Sequence, residues 1–173
     1  MNYYFDTEFI DNGKTVELIS MGIVAEDGRE LYIEIDDVHW ENAHDWVLQN
    51  VKPHLWMQQE HKKLFAAFKQ KGNTGGVVSR AQAQILVSEF CNPLVYGNPV
   101  FWAWFATYDW FCMCQLFGGF LNVPYRWPNL SFEIYQEYTR HGHPSLPVQS
   151  GQKHNALEDA KWNKQVMDML TKM

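Results

Sequence analysis

Hydrophobic and polar residues alternate along the first 36 positions in a pattern that predicts three strands. Short apolar runs cover Tyr3–Asp6 and Val16–Ala25, and apolar residues alternate with polar ones in Glu30–Asp36, which is typical of a strand with one face in water. Turn signals separate these runs at Asp11–Lys14 and Glu26–Arg29. We therefore expect the chain to begin with three antiparallel strands joined by hairpins.

After residue 40 the spacing of apolar residues is helical, and helical stretches then alternate with strand-like ones. The predicted helices are Glu41–Val51, Lys62–Lys71, Arg80–Phe90 with Ser79 as N-cap, Asp109–Phe117 and Asn155–Leu170. The further predicted strands are Val100–Ala106 and Leu130–Ile134, and the Gly-containing stretches 72–76 and 141–151 are predicted loops. This order predicts an α/β fold, a mixed five-stranded sheet flanked by helices.

The length of 173 residues and a composition of 46% hydrophobic and 20% charged residues indicate one globular domain and exclude a disordered or heptad-dominated chain. No run approaches a membrane-spanning length, so we expect no membrane partner. The three cysteines are odd in number and lie in apolar surroundings, which favours free thiols and a cytoplasmic location.

A net charge of -6 argues against a protein that holds nucleic acid by neutralising many phosphates. The negative charge does not exclude a nuclease. A nuclease that uses bound metal ions as its positive charge needs carboxylates to hold those ions, and the carboxylates make the net charge negative. Aromatic residues make up 16% of the chain, so some rings could form surfaces on which bases stack. Tyr108 is one candidate for stacking, although packing in the core is the alternative for most of these rings.

Three short signals carry the candidate chemistry, and each of them is weak alone. Asp6 and Glu8 lie two apart on a strand and would point to one side, although two solvated acids are the alternative. Asp109 lies at a strand-to-helix junction, where it could also cap the helix. His154 precedes the last helix and Asp159 lies about one turn inside it, so the two can converge.

The three signals together are stronger, because a strand end, a strand-to-helix junction and a helix entrance border one crevice in an α/β sheet. Four carboxylates offer hard oxygen ligands for two Mg²⁺ or Mn²⁺ ions, and the imidazole of His154 is left to take a proton from water. A zinc site is excluded by the lack of its usual Cys and His spacings.

These residues resemble the DEDDh group of 3′-5′ exonucleases, which share a ribonuclease H-like fold, and most closely the ribonuclease AS type, polyadenylate-specific 3′-exoribonucleases. The similar segments are Asp6-Thr-Glu-Phe-Ile, Glu17-Leu-Ile-Ser-Met-Gly, Ala25-Glu-Asp-Gly-Arg-Glu, Tyr108-Asp-Trp, Cys114-Gln-Leu-Phe-Gly and His154-Asn-Ala-Leu-Glu-Asp-Ala-Lys-Trp. They span most of one exonuclease domain, 1–173, and leave a helical insertion at about 40–78.

The resemblance implies a metal-dependent enzyme that removes nucleoside 5′-monophosphates from single-stranded 3′ ends of RNA, with a preference for adenylate, and that forms a homodimer. It implies the metal ligands Asp6, Glu8, Asp109 and Asp159, and the general base His154. Phe9 and Ile10 would flank the terminal nucleotide, with continued strand packing as the alternative for both.

Three other functions are alternatives to this one. The first is the same reaction on single-stranded DNA, because the choice between RNA and DNA depends on one or two contacts to the 2′-hydroxyl. The second is a non-catalytic RNA-binding module, which would be marked by the loss of a site residue, yet all five are present. A structural protein that assembles through aromatic rings would show no dependence on divalent metal.

Overall fold

The computed structural model describes residues 1–58 and 62–173, with the side chain of Lys62 left out. It contains one mixed sheet of six strands in the order β4-β3-β2-β1-β5-β6. The strands are β1 (Asn2–Asp11), β2 (Val16–Ala25), β3 (Glu30–Ile35), β4 (Thr74–Val78), β5 (Val100–Ala103) and β6 (Phe132–Glu133). Strand β2 pairs antiparallel with β1 and β3, and the other neighbouring strands pair in parallel. The α/β class and the mixed sheet are thereby confirmed.

The sheet has one strand more than the five predicted, because Thr74–Val78 pairs in parallel with β3. The sequence predicted a loop at residues 72–76, since two adjacent glycines lower strand propensity. Gly75 fits this position because a Cβ there would lie 2.1 Å from the carbonyl oxygen of Tyr32. The close pairing therefore needs the glycine that made the segment resemble a loop.

Helices cover both faces of the sheet. They are α1 (Asp45–Asn50), α2 (Lys62–Gln70), α3 (Arg80–Phe90), α4 (Pro93–Tyr96), α5 (Thr107–Leu116), α6 (Ile134–Arg140) and α7 (Ala156–Leu170). Helix α3 has the predicted bounds, and its cap Ser79 forms a capping box with Gln82. The prediction for residues 41–51 was too long, because Ala43 is extended and separates a 3₁₀ turn at Trp40–Asn42 from α1.

Helix α6 replaces the end of the predicted strand Leu130–Ile134. The side chain of Glu133 accepts a hydrogen bond from the backbone N–H of Tyr135 and so starts a helix after only two residues of strand. The residues of the predicted insertion, 40–78, contain α1 and α2 but end in β4, and residues 59–61 lie outside the described part of the chain.

Alternate residues of β1 enter different packing layers. Tyr3 and Phe5 pack in the cluster that contains α3 and α5 residues such as Val87 and Met113, whereas Tyr4 packs with α7. Asp6 and Glu8 continue the series of Tyr4 and therefore face the side of α7.

Gly22 on β2 lets α7 approach this face. A Cβ at Gly22 would lie 2.3 Å from the carbonyl oxygen of Ala156 and 2.4 Å from the Cα of Leu157. Both neighbours are backbone atoms of the first turn of α7, so any side chain would push the helix off the sheet. Because Gly22 pairs with Asp6, this contact brings the start of α7 next to the strand end that holds the carboxylates.

All three cysteines are buried and free, as expected. Among the residues that the structure describes, no helix combines the length and the apolar character needed to cross a bilayer.

Candidate active site

Glu8 and Asp6 lie near the carboxyl end of β1, on the same side of the strand. Glu8 is buried and Asp6 half-buried. Directly after Glu8 the pairing with β2 shifts, because Glu8 pairs with Ser20 whereas Phe9 pairs with Leu18. Such a bulge re-aims the side chains beside it.

Asp109 is buried in the first turn of α5 and turns toward β1. Its Oδ1 accepts two hydrogen bonds from Thr7, one from the backbone N–H at 2.8 Å and one from the hydroxyl at 2.7 Å. The alternative of a helix cap is wrong for Asp109, since the N-cap position of α5 is Ala106. Thr7 lies between Asp6 and Glu8, so these bonds tie the third carboxylate to the first two.

Glu133 holds the turn that precedes Asp109. Its two carboxylate oxygens accept hydrogen bonds from the backbone N–H groups of Phe105 and Ala106, each at 2.8 Å, and from that of Tyr135 at 3.0 Å. Glu133 was not among the predicted site residues, because it falls inside the predicted strand Leu130–Ile134 and nothing nearby in the chain marks its partners. The bonds from Phe105 and Ala106 fix where β5 ends and α5 begins, and the bond from Tyr135 starts α6.

His154 and Asp159 meet as the spacing predicted. His154 lies two residues before α7 in a left-handed conformation with φ 62°, and its backbone N–H donates to Oδ2 of Asp159 at 3.0 Å. Gln149 donates to the other oxygen, Oδ1. One ligand atom each of Glu8, His154 and Asp159 lies within 4.8 Å of the other two. Strand β1 and helix α7 thus present two carboxylates and an imidazole to one point.

A buried polar network supports the start of α7. Asn155 caps the helix by accepting from the backbone N–H of Glu158, and its amide donates to the hydroxyl of Tyr32 at 3.1 Å. Tyr32 in turn donates to Glu34 at 2.7 Å, and Glu34 accepts from backbone groups of the segment before α2. Local sequence patterns gave no sign of this network, because Tyr32 and Asn155 lie 123 residues apart.

Burial raises the pKa of all four carboxylates, and for Asp6 and Glu8 the neighbouring carboxylates raise it further. Burial raises the pKa of Asp6 well above its ordinary value, and the three other carboxylates add to the effect. Burial also raises the pKa of Glu8 from 4.5 to about 8, with Asp159 and Asp109 as further causes. For Asp109, burial raises the pKa to about 6, although the hydrogen bonds from Thr7 act in the opposite direction. Two buried and two half-buried acids that resist ionisation together form a site that cations would stabilise.

The donor set fits hard divalent ions such as Mg²⁺ or Mn²⁺. Those ions prefer carboxylate oxygens, whereas the buried thiols of Cys112 and Cys114 are not among the grouped ligand atoms. Burial raises the pKa of Cys112 to about 12 and so disfavours its thiolate.

The predicted substrate residues lie in different surroundings. Phe9 stacks on Tyr108 with ring centroids 5.1 Å apart, and Tyr108 is exposed. Ile10 is 1% exposed and packs among Ile19 and Val47, so the alternative of strand packing describes it. Phe9 and Tyr108 therefore remain as candidates for contact with a nucleotide.

A cavity of about 480 Å³ opens beside the cluster and is lined by Glu8, Phe9, Asp11, His44, Trp46, Val47 and Val51. Trp46 is 52% exposed, and its ring meets the ring of His154 edge-on at 5.0 Å. Trp46 was not among the predicted site residues, although the high aromatic content of the chain was a general signal. A cavity with aromatic walls and carboxylates at one end suits a nucleotide, whose base is flat and whose phosphate needs a bound cation.

Comparisons with known proteins agree with this geometry. Residues 1–171 match the family model described as 3′-5′ exoribonuclease Rv2179c-like domain. The chain is similar to the 3′-5′ exoribonuclease Rv2179c of Mycobacterium tuberculosis (strain ATCC 25618 / H37Rv) and to the 3′-5′ exoribonuclease MT2234.1 of strain CDC 1551 / Oshkosh. Each is 35% identical over 161 residues, which cover 93% of this chain and 88% of the relative.

Proposed function

Because this chain belongs to the 3′-5′ exoribonuclease Rv2179c-like domain family, we propose that it is a 3′-5′ exoribonuclease that releases nucleoside 5′-monophosphates from single-stranded RNA. The observation that carries the proposal is the convergence of Glu8, His154 and Asp159 within 4.8 Å. Within the family we assign the chain to the DEDDh group and to the ribonuclease AS type. That assignment includes a preference for adenylate and rests on the motifs given above.

The activity depends on two divalent ions, Mg²⁺ or Mn²⁺, held by Asp6, Glu8, Asp109 and Asp159. Support comes from the raised pKa values of the four carboxylates, because bound cations would stabilise their ionised forms. When bound, the ions supply positive charge that polarises the scissile phosphate and stabilises the leaving oxygen. The protein contributes the fixed positions of its oxygens, and Thr7 holds Asp109 in place.

His154 acts as the general base and takes a proton from the attacking water at a ring nitrogen. Among the described residues no hydrogen bond ends on its imidazole, since the link to Asp159 is made by the backbone N–H, and a ring nitrogen can therefore accept the proton. Glu8 lies beside the imidazole and can orient it. Phe9 and Tyr108 contact the terminal nucleotide from the side of the cavity.

A single-stranded end fits this site better than a duplex end. The carboxylates are buried or half-buried behind aromatic residues, so an unpaired nucleotide must enter to reach them. Single-stranded DNA is the alternative substrate, and a non-catalytic RNA-binding module is the alternative from another class. All five site residues are present, which favours the enzyme over the module.

Labelled oligonucleotides test the proposal. RNA and DNA with a 5′ label and with A-rich or mixed sequence are incubated with Mg²⁺, Mn²⁺ or a chelator. Stepwise shortening of RNA from the 3′ end, fastest on A-rich ends and absent with chelator, is the expected result. Asp109→Asn serves as the inactive control. Internal cleavage, or no reaction with any metal, would refute the exoribonuclease, and equal rates on DNA would refute the RNA preference.

The homodimer and the cytoplasmic location belong to the same proposal. Exposed apolar side chains at Phe111, Phe120 and Leu121 follow Tyr108 along α5 and the turn after it, and they could support contact between two copies. Free, buried cysteines suit a reducing compartment. Light scattering of the purified protein decides between monomer and dimer.

A further inference from the structure

Two exposed aromatic rings lie beside the carboxylate cluster, outside the cavity that takes the terminal nucleotide. Phe105 is 62% exposed, and Tyr135 is 38% exposed. Their ring centroids lie 5.0 Å apart with a tilt of 40°. In the part of the chain that the structure describes, their ring contacts run to Trp104, Tyr138 and His143 and none runs to Phe9 or Tyr108.

The pair is built onto the elements that carry the site. Phe105 lies four residues before Asp109, and Glu133 accepts hydrogen bonds from the backbone N–H groups of both Phe105 and Tyr135. Trp104 packs beneath both rings and also meets the ring of Trp162 at 5.1 Å. Trp162 lies one turn after Asp159 on α7, so the pair borders the cluster between α5 and α7.

The backbone of Phe105 is strained. Its φ is 58°, in the left-handed region that favours glycine or asparagine and disfavours a bulky side chain. The bonds from Phe105 and Ala106 to Glu133 hold the strained turn. Neither burial nor backbone preference explains a phenylalanine here, and strain of this kind concentrates at functional sites.

The net charge of the protein indicates what kind of ligand such rings would contact. At a net charge of -6, with four carboxylates in the site, the chain has little positive charge with which to hold a phosphate backbone. Stacking of bases on aromatic rings holds single-stranded nucleic acid without that charge, and every base offers a flat face. Trp104 contacts both rings and also Trp162 on the helix that carries Asp159, so the strand that leaves the crevice is the nearest occupant of the pair.

We propose that Phe105 and Tyr135 form a stacking platform for a base upstream of the scissile phosphate of single-stranded RNA. This inference rests on the proposed function, because it takes the RNA as the substrate of the same site. The platform would explain how an acidic protein retains its substrate after each cleavage, since the upstream base stays stacked while the 3′ end is shortened.

Abasic substrates test the platform. Each upstream nucleotide of a short A-rich RNA is replaced in turn by an abasic one, and KM is measured for the parent, Phe105→Asn and Tyr135→Ala. Asparagine suits the left-handed backbone and so removes the ring without adding strain. In the parent, loss of one particular upstream base should raise KM about tenfold. In either variant KM should already be raised about tenfold for the intact RNA, and loss of that base should have no further effect.

The controls separate stacking from a merely structural role. Phe105→Trp should restore the parent's KM, and Tyr125→Ala, which removes a ring that is 82% exposed elsewhere, should leave KM unchanged. A kcat like that of the parent and a melting temperature no lower than that of the parent in Phe105→Asn show that the site is intact. Equal KM values for the parent and both variants, or variants that still respond to the abasic position, would overturn the platform. So would a change from dimer to monomer in Phe105→Asn, since the rings would then face a second copy.

Binding measurements separate this inference from the proposed function. The same RNA series, with a hydrolysis-resistant 3′-terminal linkage, is measured by fluorescence anisotropy. If the parent binds RNA but never cleaves it, the exonuclease fails, and the abasic series still decides on the platform through Kd. If the parent cleaves RNA and its KM and Kd do not change with the position of the abasic nucleotide, only the platform fails. If the parent neither binds nor cleaves RNA, both fail.

Discussion

Thr7 and Asp109 are joined by two hydrogen bonds that end on the same carboxylate oxygen. The backbone N–H and the hydroxyl of Thr7 reach Oδ1 at 2.8 and 2.7 Å. Because Oδ1 accepts both, Oδ2 is left for a ligand. Thr7 also separates Asp6 from Glu8, so one residue sets the positions of carboxylates on two elements.

The hydroxyl of Thr7 should therefore contribute to metal binding. Thr7→Val keeps the shape and the backbone hydrogen bond but removes the hydroxyl, which should cost about 1–2 kcal/mol of stability. We expect Mn²⁺ to bind about tenfold more weakly and kcat to fall, as measured by calorimetry and by RNA cleavage. Thr7→Ser keeps the donor and should bind Mn²⁺ like the parent. Parent-like Mn²⁺ affinity in Thr7→Val would show that the hydroxyl has no such role.

The metal-free protein should lose stability as the pH rises. Its folded form has raised pKa values, about 8 for Glu8 against an ordinary 4.5 and about 6 for Asp109 against 3.8. Between those values the folded state binds more protons than the unfolded state, so stability is full below the ordinary pKa and is lost as the pH rises through 6 and 8.

Thermal melts with chelator should show a fall of at least about 5 °C between acid and mildly alkaline buffer. Mg²⁺ or Mn²⁺ should remove most of that fall, because the ions bind the ionised carboxylates of the folded state only. Glu8→Gln should flatten the curve without metal. A melting temperature that rises across this pH range in the chelated parent would contradict the prediction.

Gly22→Ala should separate α7 from the sheet. The new Cβ would meet backbone atoms of Ala156 and Leu157 at 2.3–2.4 Å, and backbone cannot rotate away as a side chain can. We expect a loss of about 1–3 kcal/mol in the free energy of unfolding, measured with denaturant, and a larger loss of activity. Gly76→Ala is the matched control in a strand, since its Cβ would meet only side-chain atoms at 3.5 Å or more. Equal effects of the two substitutions would refute the close-approach argument.

His154→Ala should separate catalysis from binding. If the imidazole only takes a proton in the transition state, kcat should fall about 10²–10⁴-fold while KM and Mn²⁺ affinity change little. His154→Asn is a second variant that suits the left-handed backbone of this position, and His141→Ala, an exposed histidine at the end of α6, is the control. Loss of Mn²⁺ binding in both His154 variants would instead make this residue a metal ligand.

Several elements of the fold follow from local sequence patterns. Strand β2 and helix α3 have the bounds predicted from apolar spacing and from the cap Ser79. The sequence also indicated which residue types the candidate site would contain. Local patterns place Asp6 and Glu8 on a strand and Asp159 early in a helix. The ends of such elements meet at one crevice in an α/β sheet.

Local patterns along the chain were thus enough to predict the class of the fold, the strands and helices with strong periodicity, and the residue types of the site. Four features became visible only in the folded chain: the sixth strand, the hydrogen bonds of Glu133, the contact of Trp46 with His154 and the exposure of Phe105. Each of them depends on partners that are distant in the chain. Gly75 lies in a strand because the backbone of Tyr32 packs beside it. The carboxylate of Asp109 is oriented by two hydrogen bonds from Thr7, which lies 102 residues away in the chain.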